Sequence, residues 1–335
     1  MKNTYYLFNP GRLSRQDNTL RFTPLDSDGR EQPAKFIPIE GLENLYVFGS
    51  LEANSALYNF LGKRSVSVHF FDYYEHYTGS FQPKEYLLAG KMQVEQTRAY
   101  LDPKRRLHLA RGFVEGASAN MLRNLKYYAG RGRELQVQIE AISTYRASLA
   151  DVPDVPALMG LEGNCRQTYY AAFDLILSDF AMQGRSKQPP GNEVNALVSF
   201  GNMICYTQAL DAIYHTQLNP TISFLHEPGA RRYSLALDVA EVFKPIVVDR
   251  TIFSLLNKRA LQARHFDNAL NGCFLNPAGK QIFLRALEER LGETIQHRSL
   301  GKKVSYKYLL RLECYKLVKY ILGMEPAYKP FKIWW

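Results

Sequence analysis

The apolar residues of this chain recur with one period over roughly its first eighty positions and with another beyond, and that change restricts the fold more than any total does. In "VSVHFFD", Val66, Val68 and Phe70 alternate with Ser67, His69 and Phe71, the period-2 pattern of a strand. "TYYLF" runs into a turn at Asn9-Pro10-Gly11, and "RLSR" and "LRFTP" flank the polar "QDNT", a connection suited to a hairpin. "AKFIPI" and "NLYVFGS" are short and rich in aromatic and branched residues, as strands are. Between them and "VSVHFFD", "LEANSALYNFLGK" predicts one short helix ending at Gly62. Residues 1–82 therefore read as a small, mainly antiparallel β domain with one helix inserted.

From about residue 83 the period becomes helical. Asp102-Pro103 is an N-cap followed by a first-turn proline, opening a helix to about Tyr128. "RGRELQVQIEAISTYRASL" predicts another, and "DVPDVP" (151–156) is a kinked connection. After it, Leu161, Cys165, Tyr169, Ala172 and Ile176 form an apolar stripe with Glu162 at its border. "SKQPPGN" breaks the chain before a helix near 193–217, on which Asn195, Ser199, Asn202 and Tyr206 form an uncharged polar seam. Further helices are expected near 250–263, 278–296 and 304–322. The fold class is α+β, with a larger all-α domain over residues 83–335.

Charge separates the same two regions. Residues 1–82 hold 8 Lys/Arg against 9 Asp/Glu, a balance of −1, whereas the remainder holds 34 against 23, a balance of +11. A basic lobe suits a polyanion. "KKVSYKYLLRLECYKLVKY" (302–320) interleaves Lys307, Arg311 and other cations with tyrosines, a pattern that can hold phosphates or equally form a solvated helix face. No run of eighteen apolar residues predicts a membrane span, and the apolar stretch in "MKNTYYLFNPGRL" is only about five residues, too short for a signal peptide. Cys165, Cys205, Cys273 and Cys314 form no C-x-x-C pair, which points to a reducing cytoplasm rather than a disulfide framework.

"FLHEPGARRYSLALDVAEVFKP" (224–245) poses the chemical question. His226 ends an apolar, strand-like or extended segment before a Pro228-Gly229 turn, and Asp238 and Glu241 share one face of an otherwise apolar helix. Like charges on a buried face repel unless a cation compensates them. Arg231 and Arg232 could do so, or a divalent ion bound by the carboxylates and the imidazole. "HEP" is not the H-E-x-x-H of zinc proteases, and neither G-x-S-x-G nor G-x-x-x-x-G-K-[ST] occurs. The residues alone therefore describe a basic, mostly helical protein acting on a polyanion, with metal dependence left open.

Three blocks carry a resemblance. "LEGNCRQTYYAAF" (161–173), "NEVNALVSFGNMICY" (192–206) and "FLHEPGARRYSLALDVAEVFKPIVVDR" (224–250) resemble the signature blocks of the CRISPR-associated integrase family, which inserts new spacers into CRISPR arrays. "TYYLFNPGRLSRQDNTLRF" and "YKPFKIWW" resemble its type I-B branch in particular. The resemblance implies an N-terminal β domain, through which a homodimer forms, and a helical catalytic domain. It implies Mg²⁺ or Mn²⁺ held by Glu162, His226 and Glu241, with Asp238 as an auxiliary ligand or a partner of the ligands. Many members have Asp where this chain has Glu241. The implied reaction joins 3′-hydroxyl ends of spacer DNA, double-stranded and partly single-stranded, to repeat DNA.

Within that expectation Arg231, Arg232, Lys244, Lys307 and Arg311 are candidate DNA contacts, and Asn195 and Asn202 candidate orienting groups for Glu162 or the DNA. A small ferredoxin-fold partner and a RecB-like nuclease are the implied associates. The competing readings are a general metal-dependent DNA nuclease in repair or defence, and a non-catalytic DNA-binding scaffold.

Overall fold

A computed structural model describes residues 3–72, 74–83, 87, 89–229, 233–269, 271–297 and 300–334. The chain divides into two compact units, Met1–Tyr86 and Leu87–Trp335.

The first unit pairs two four-stranded sheets. Strands β1 (Asn3–Leu7), β2 (Gly11–Gln16), β3 (Thr19–Pro24) and β4 (Lys35–Pro38) are followed by β5 (Leu42–Val47), β6 (Leu51–Glu52), helix α1 (Ser55–Lys63), β7 (Ser67–Phe71) and β8 (Tyr77–Phe81). One sheet has the order β1-β5-β7-β8 and the other β4-β3-β2-β6. The β2–β3 hairpin turns at Asp17-Asn18, tighter than the four-residue connection read from sequence, with Gln16 opposite Thr19 and Asp17 at φ 53°. The pairing is mixed rather than mainly antiparallel: β1–β5, β5–β7 and β2–β6 run parallel. Alternation identifies a strand but not its neighbour's direction. Leu13, Leu20 and Phe22 of one sheet, Leu45, Val47 and Val68 of the other, and Leu57, Phe60 and Leu61 of α1 share one core. Asn54 caps α1, accepting from the Leu57 amide.

The second unit is built on α2 (Gly90–Leu101), α3 (Pro103–Ala129), α4 (Gln136–Ala147), α5 (Val155–Ala171), α6 (Phe173–Ile176) and α7 (Glu193–Tyr214). It continues through α8 (Ser234–Lys244), α9 (Arg250–Asn257), α10 (Pro277–Gly292) and α11 (Tyr306–Ile321). Two short ribbons, β9 (Phe266–Ala269) with β10 (Gly272–Leu275) and β11 (Thr294–Gln296) with β12 (Lys303–Ser305), interrupt what the sequence suggests is purely helical. Asp102 caps α3 through the amides of Lys104 and Arg105, and Asp154 caps α5 through that of Ala157. Helix α7 is apolar almost all round and correspondingly buried, so it is the central helix against which α8 and α11 pack.

Pro245 ends α8. Its ring lacks an amide proton and crowds the preceding turn, and the chain answers with a π-helical turn, Pro245–Asp249, before α9 begins. Two asparagines of α3 take up carbonyls around this break: Asn120 donates to the Val242 carbonyl at 2.8 Å and Asn124 to that of Pro245 at 2.7 Å. They fix the end of α8, and with it Glu241, against the longest helix of the unit. None of the helices among the described residues is long and apolar enough to cross a membrane.

Candidate metal centre

Asp238 organises the centre from beneath. It is fully buried, and its Oδ2 accepts from the amides of Phe224 at 2.7 Å and Leu225 at 3.0 Å. Its Oδ1 accepts from the amide of His226 at 3.0 Å and lies 2.8 Å from the imidazole Nδ1. A carboxylate has about four acceptor sites, so this one is saturated. Of the two readings, strand or extended segment, the stretch before the turn is no strand but a loop wrapped on Asp238. Outside it, Arg106 donates to the Phe224 carbonyl at 3.1 Å and to Glu227 at 2.5 Å, and the Tyr100 hydroxyl donates to Glu227 at 3.0 Å. With Nδ1 engaged, Nε2 is the atom His226 presents for ligation, oriented as metal-binding imidazoles usually are.

Arg166 joins the two glutamates. Its Nε donates to Glu162 Oε1 at 2.7 Å, one helical turn away on α5, and its Nη2 donates to Glu241 Oε2 across on α8. Glu241 Oε1 accepts from Lys244 Nζ at 2.7 Å. All four side chains are largely withdrawn from water: Glu162 is 15% exposed, Arg166 16%, Glu241 9% and Lys244 12%. The pair of acids on α8 is thus neutralised in two ways, Asp238 by amides and imidazole, Glu241 by two cations.

The electrostatics follow from that arrangement. Burial pushes the Glu241 carboxyl up, but Arg166 and Lys244 outweigh it and hold it at about 2. Burial opposes the charged form of His226, yet the bond and charge of Asp238, with Glu241 adding, raise its pKa above the ordinary value. Arg166 and Lys244 are likewise desolvated and nevertheless shifted upward by the acids they touch. Below them lies Asp249, 1% exposed, with no hydrogen-bond partner of good geometry among the described residues. Burial drives its carboxyl up to about 7, against the pull of Arg166, Tyr169 and Lys244. Burial also lifts the Cys165 thiol, beside Glu162, to about 12, which leaves it inert as a nucleophile.

The structure therefore links Glu162 to Glu241 through Arg166 and His226 to Asp238, with the charge of Glu241 felt at His226, and it corrects other expectations. Lys244 pairs with Glu241 instead of facing a phosphate, because the i, i+3 spacing on α8 puts the two on one buried face. Asn195 orients neither Glu162 nor a groove. Its amide and carbonyl tie down the 182–186 segment, donating to the carbonyls of Met182 and Gly184 and accepting from Ser186 and Arg185. Asn202 has a buried Oδ1 without a hydrogen-bond partner among the described residues. Lys307 and Arg311 are half-buried on α11. Arg231 and Arg232 lie outside the described residues. Sequence reasoning missed Arg166, although Glu162 and Arg166 stand at the i, i+4 spacing of a helical ion pair, and missed Asp249, which no pattern marks.

Two carboxylates and one imidazole Nε2 are a donor set suited to Mg²⁺ or Mn²⁺. The guanidinium lodged between Glu162 and Glu241 shows that this position calls for positive charge. A two-unit α+β chain, β-rich and then helical, with a buried cluster of acids, arginine and histidine in its helical unit, defines the class of fold to which known proteins can be matched. A family model for CRISPR associated protein Cas1 matches residues 5–289. The CRISPR-associated endonuclease Cas1 of Fusobacterium nucleatum is 43% identical over 336 residues, covering 100% of this chain and 98% of its own. CRISPR-associated endonuclease Cas1 2 of Moorella thermoacetica is 45% identical over 332 residues, 99% of each. A solved CAS1 protein from Thermotoga maritima superposes with a TM-score of 0.85 at 36% identity, covering 97% of this chain and 99% of its own. A casposase bound to integration product, 20% identical, shares the fold with a TM-score of 0.87 over 100% of this chain and 95% of its own. This chain belongs to the Cas1 family of CRISPR-associated proteins.

Proposed function

We propose that this protein is a metal-dependent DNA integrase and endonuclease of CRISPR adaptation, joining 3′-hydroxyl ends of spacer DNA to repeat DNA by transesterification. The observation that carries the reading is the convergence of Glu162 and Glu241 on one guanidinium, beside an imidazole aligned by a saturated carboxylate. Glu162, Glu241 and His226 Nε2 would hold the ion. Once bound, Mg²⁺ or Mn²⁺ supplies Lewis acidity to a phosphodiester.

The chain's own groups do the rest. Asp238 fixes the ring plane and tautomer of His226. Arg166, and beside it Lys244, keep Glu241 ionised, hence ready as a ligand, at physiological pH. Arg166, poised between the acids, is the group that must yield to the ion or turn toward the phosphate beside it. No side-chain nucleophile is needed, because the attacking oxygen is the 3′-hydroxyl of the spacer strand and the departing oxygen is that of the cut repeat strand. With water as the attacking group the same centre hydrolyses DNA, in keeping with the endonuclease name that the relatives bear. The β unit is the proposed homodimer surface, and a small ferredoxin-fold partner and a RecB-like nuclease are the proposed associates. A Cas6-RT-Cas1–Cas2 complex is among the structures of similar fold, in keeping with a protein partner.

Purified protein with the small partner, spacer-like DNA and a repeat-bearing plasmid provides the test. Free 3′ ends should join in Mg²⁺ or Mn²⁺, and blocked ends should not. Glu162→Ala and His226→Ala should each lose nearly all joining and cleavage while unfolding at close to the parental temperature. Equal product from blocked ends would leave a nuclease only, and unchanged activity in both variants would leave a scaffold.

A further inference from the structure

Apart from the proposed metal centre, the helical unit carries a basic groove that no sequence motif marks. A cavity of about 670 Å³ opens between α3, α9 and α10, lined by Arg131, Arg133, Arg250, Lys258 and Arg290 against the acids Glu289 and Glu293. A second hollow of about 530 Å³ shares Tyr127, Arg250, Arg290 and Glu293 with it and adds Arg123 and Lys126 without another acid. None of Glu162, His226 and Glu241 lines either.

The two acids are already engaged. Glu289 accepts from Arg285 at 3.2 Å, and Glu293 pairs with Arg290. Among the described residues, Arg131, Arg133 and Lys258 have no carboxylate in ion-pair range. So many cations around one hollow repel one another, and the fold holds them by other means. The guanidiniums of Arg250 and Arg131 lie 4.2 Å and 4.5 Å from the centre of the Tyr127 ring, and that of Arg290 lies 4.4 Å from the Tyr306 ring. Arg290 also donates to the Ile246 carbonyl at 2.9 Å, and Arg133 to the Ser178 hydroxyl at 2.7 Å.

We propose that this groove is a second DNA site, which grips the phosphodiester backbone without reading base sequence. Tyrosines among cations can also stack on unpaired bases, but here the rings are committed. Tyr127 is taken by two guanidiniums, and Tyr128 packs edge-on against Tyr127 at 5.1 Å and Phe253 at 5.3 Å. What the groove offers is rigidly spaced positive charge, which suits phosphates. The groove shares elements with the proposed metal centre, α3 and the chain leaving Pro245–Asp249.

The proposal rests on DNA as the substrate, and the test separates the two. Fluorescence anisotropy with mixed-sequence duplexes, titrated from low to high salt, measures affinity and its salt slope. Arg131→Ala/Arg133→Ala/Lys258→Ala should bind about ten-fold or more weakly, with the slope of log K against log salt shallower by about two to three units. The loss should be equal for unrelated sequences, and Arg131→Lys/Arg133→Lys should bind nearly as the parent does, which excludes misfolding as the cause. Affinity and slope unchanged in the triple Ala variant would overturn the groove, as would a loss confined to one sequence. So would inorganic phosphate that binds saturably to the parent without displacing DNA. Glu162→Ala serves as control: if it cleaves and joins as the parent does, the metal-centre reading fails alone, whatever the groove does.

Discussion

The imidazole Nδ1 of His226 lies 2.8 Å from Oδ1 of Asp238, a carboxylate with no exposure to solvent that also receives three consecutive backbone amides. One side chain thereby shapes both the loop and the ring. Asp238→Asn places an amide N–H₂ where donors already point, so one backbone amide or the ring loses its acceptor. Mn²⁺ affinity, read by isothermal titration calorimetry, should fall by about 10- to 100-fold. His226 in the free protein should titrate at a lower pH, visible by NMR of its ring protons.

Arg166 bridges Glu162 and Glu241 where the proposed ion would lie. Arg166→Gln removes a buried cation and leaves two acids facing each other, which should cost about 3–5 kcal/mol in metal-free buffer. A divalent ion can replace the missing charge. Adding Mg²⁺ or Mn²⁺ should therefore raise the melting temperature of the variant more than that of the parent, by scanning calorimetry. Equal shifts in both would place the ion elsewhere.

Asp249 retains its proton to about pH 7, against an ordinary value of 3.8, because burial disfavours its charge. Between those two pH values the folded state binds more protons than the unfolded one, so its contribution to stability falls as pH rises and is flat above about 7. Asp249→Asn should remove that slope, matching the parent near pH 4 and exceeding it at pH 8 by something on the order of 2–4 kcal/mol. Urea melts at a series of pH values measure it. Glu241 has the opposite sign: held at about 2, it contributes above its ordinary 4.5 and loses that contribution as pH falls toward 2.

The chain's final segment is latched onto α3 and α11. Glu313, fully buried, accepts from the Tyr328 hydroxyl and from the Phe331 amide at 3.1 Å, and a Cβ added at Gly112 would stand 2.6 Å from the Tyr328 ring. Gly112→Ala should destabilise by about 1–3 kcal/mol. In a Tyr328→Ala background the same change should cost little, since the clash is gone. Thermal unfolding of the four proteins in this double-mutant cycle reports the coupling.

Much of this was legible in order alone. The change of period predicts a β unit before a helical one, since alternation and helical spacing are local properties. Asp102 and Asp154 announce the helices they cap for the same reason. Glu162, His226 and Glu241, the proposed ligands, stand in motif blocks whose spacing is visible in sequence even though any centre they form is assembled in space. Lys244 shows the limit of such reading: its charge is visible, but whether it faces solvent or Glu241 depends on which side of α8 is buried.

Residue order set where strands give way to helices and which acids and histidine could form a centre. Folding settled what each of those groups touches: that Asp238 is filled by backbone amides, that one arginine spans two helices, and that cations of α9, α10 and the segment after α3 border one groove. The reason is one of range. Secondary structure follows from neighbours a few residues apart, whereas a charge buried among others takes its partner, its protonation and its role from elements that the chain brings together only on folding.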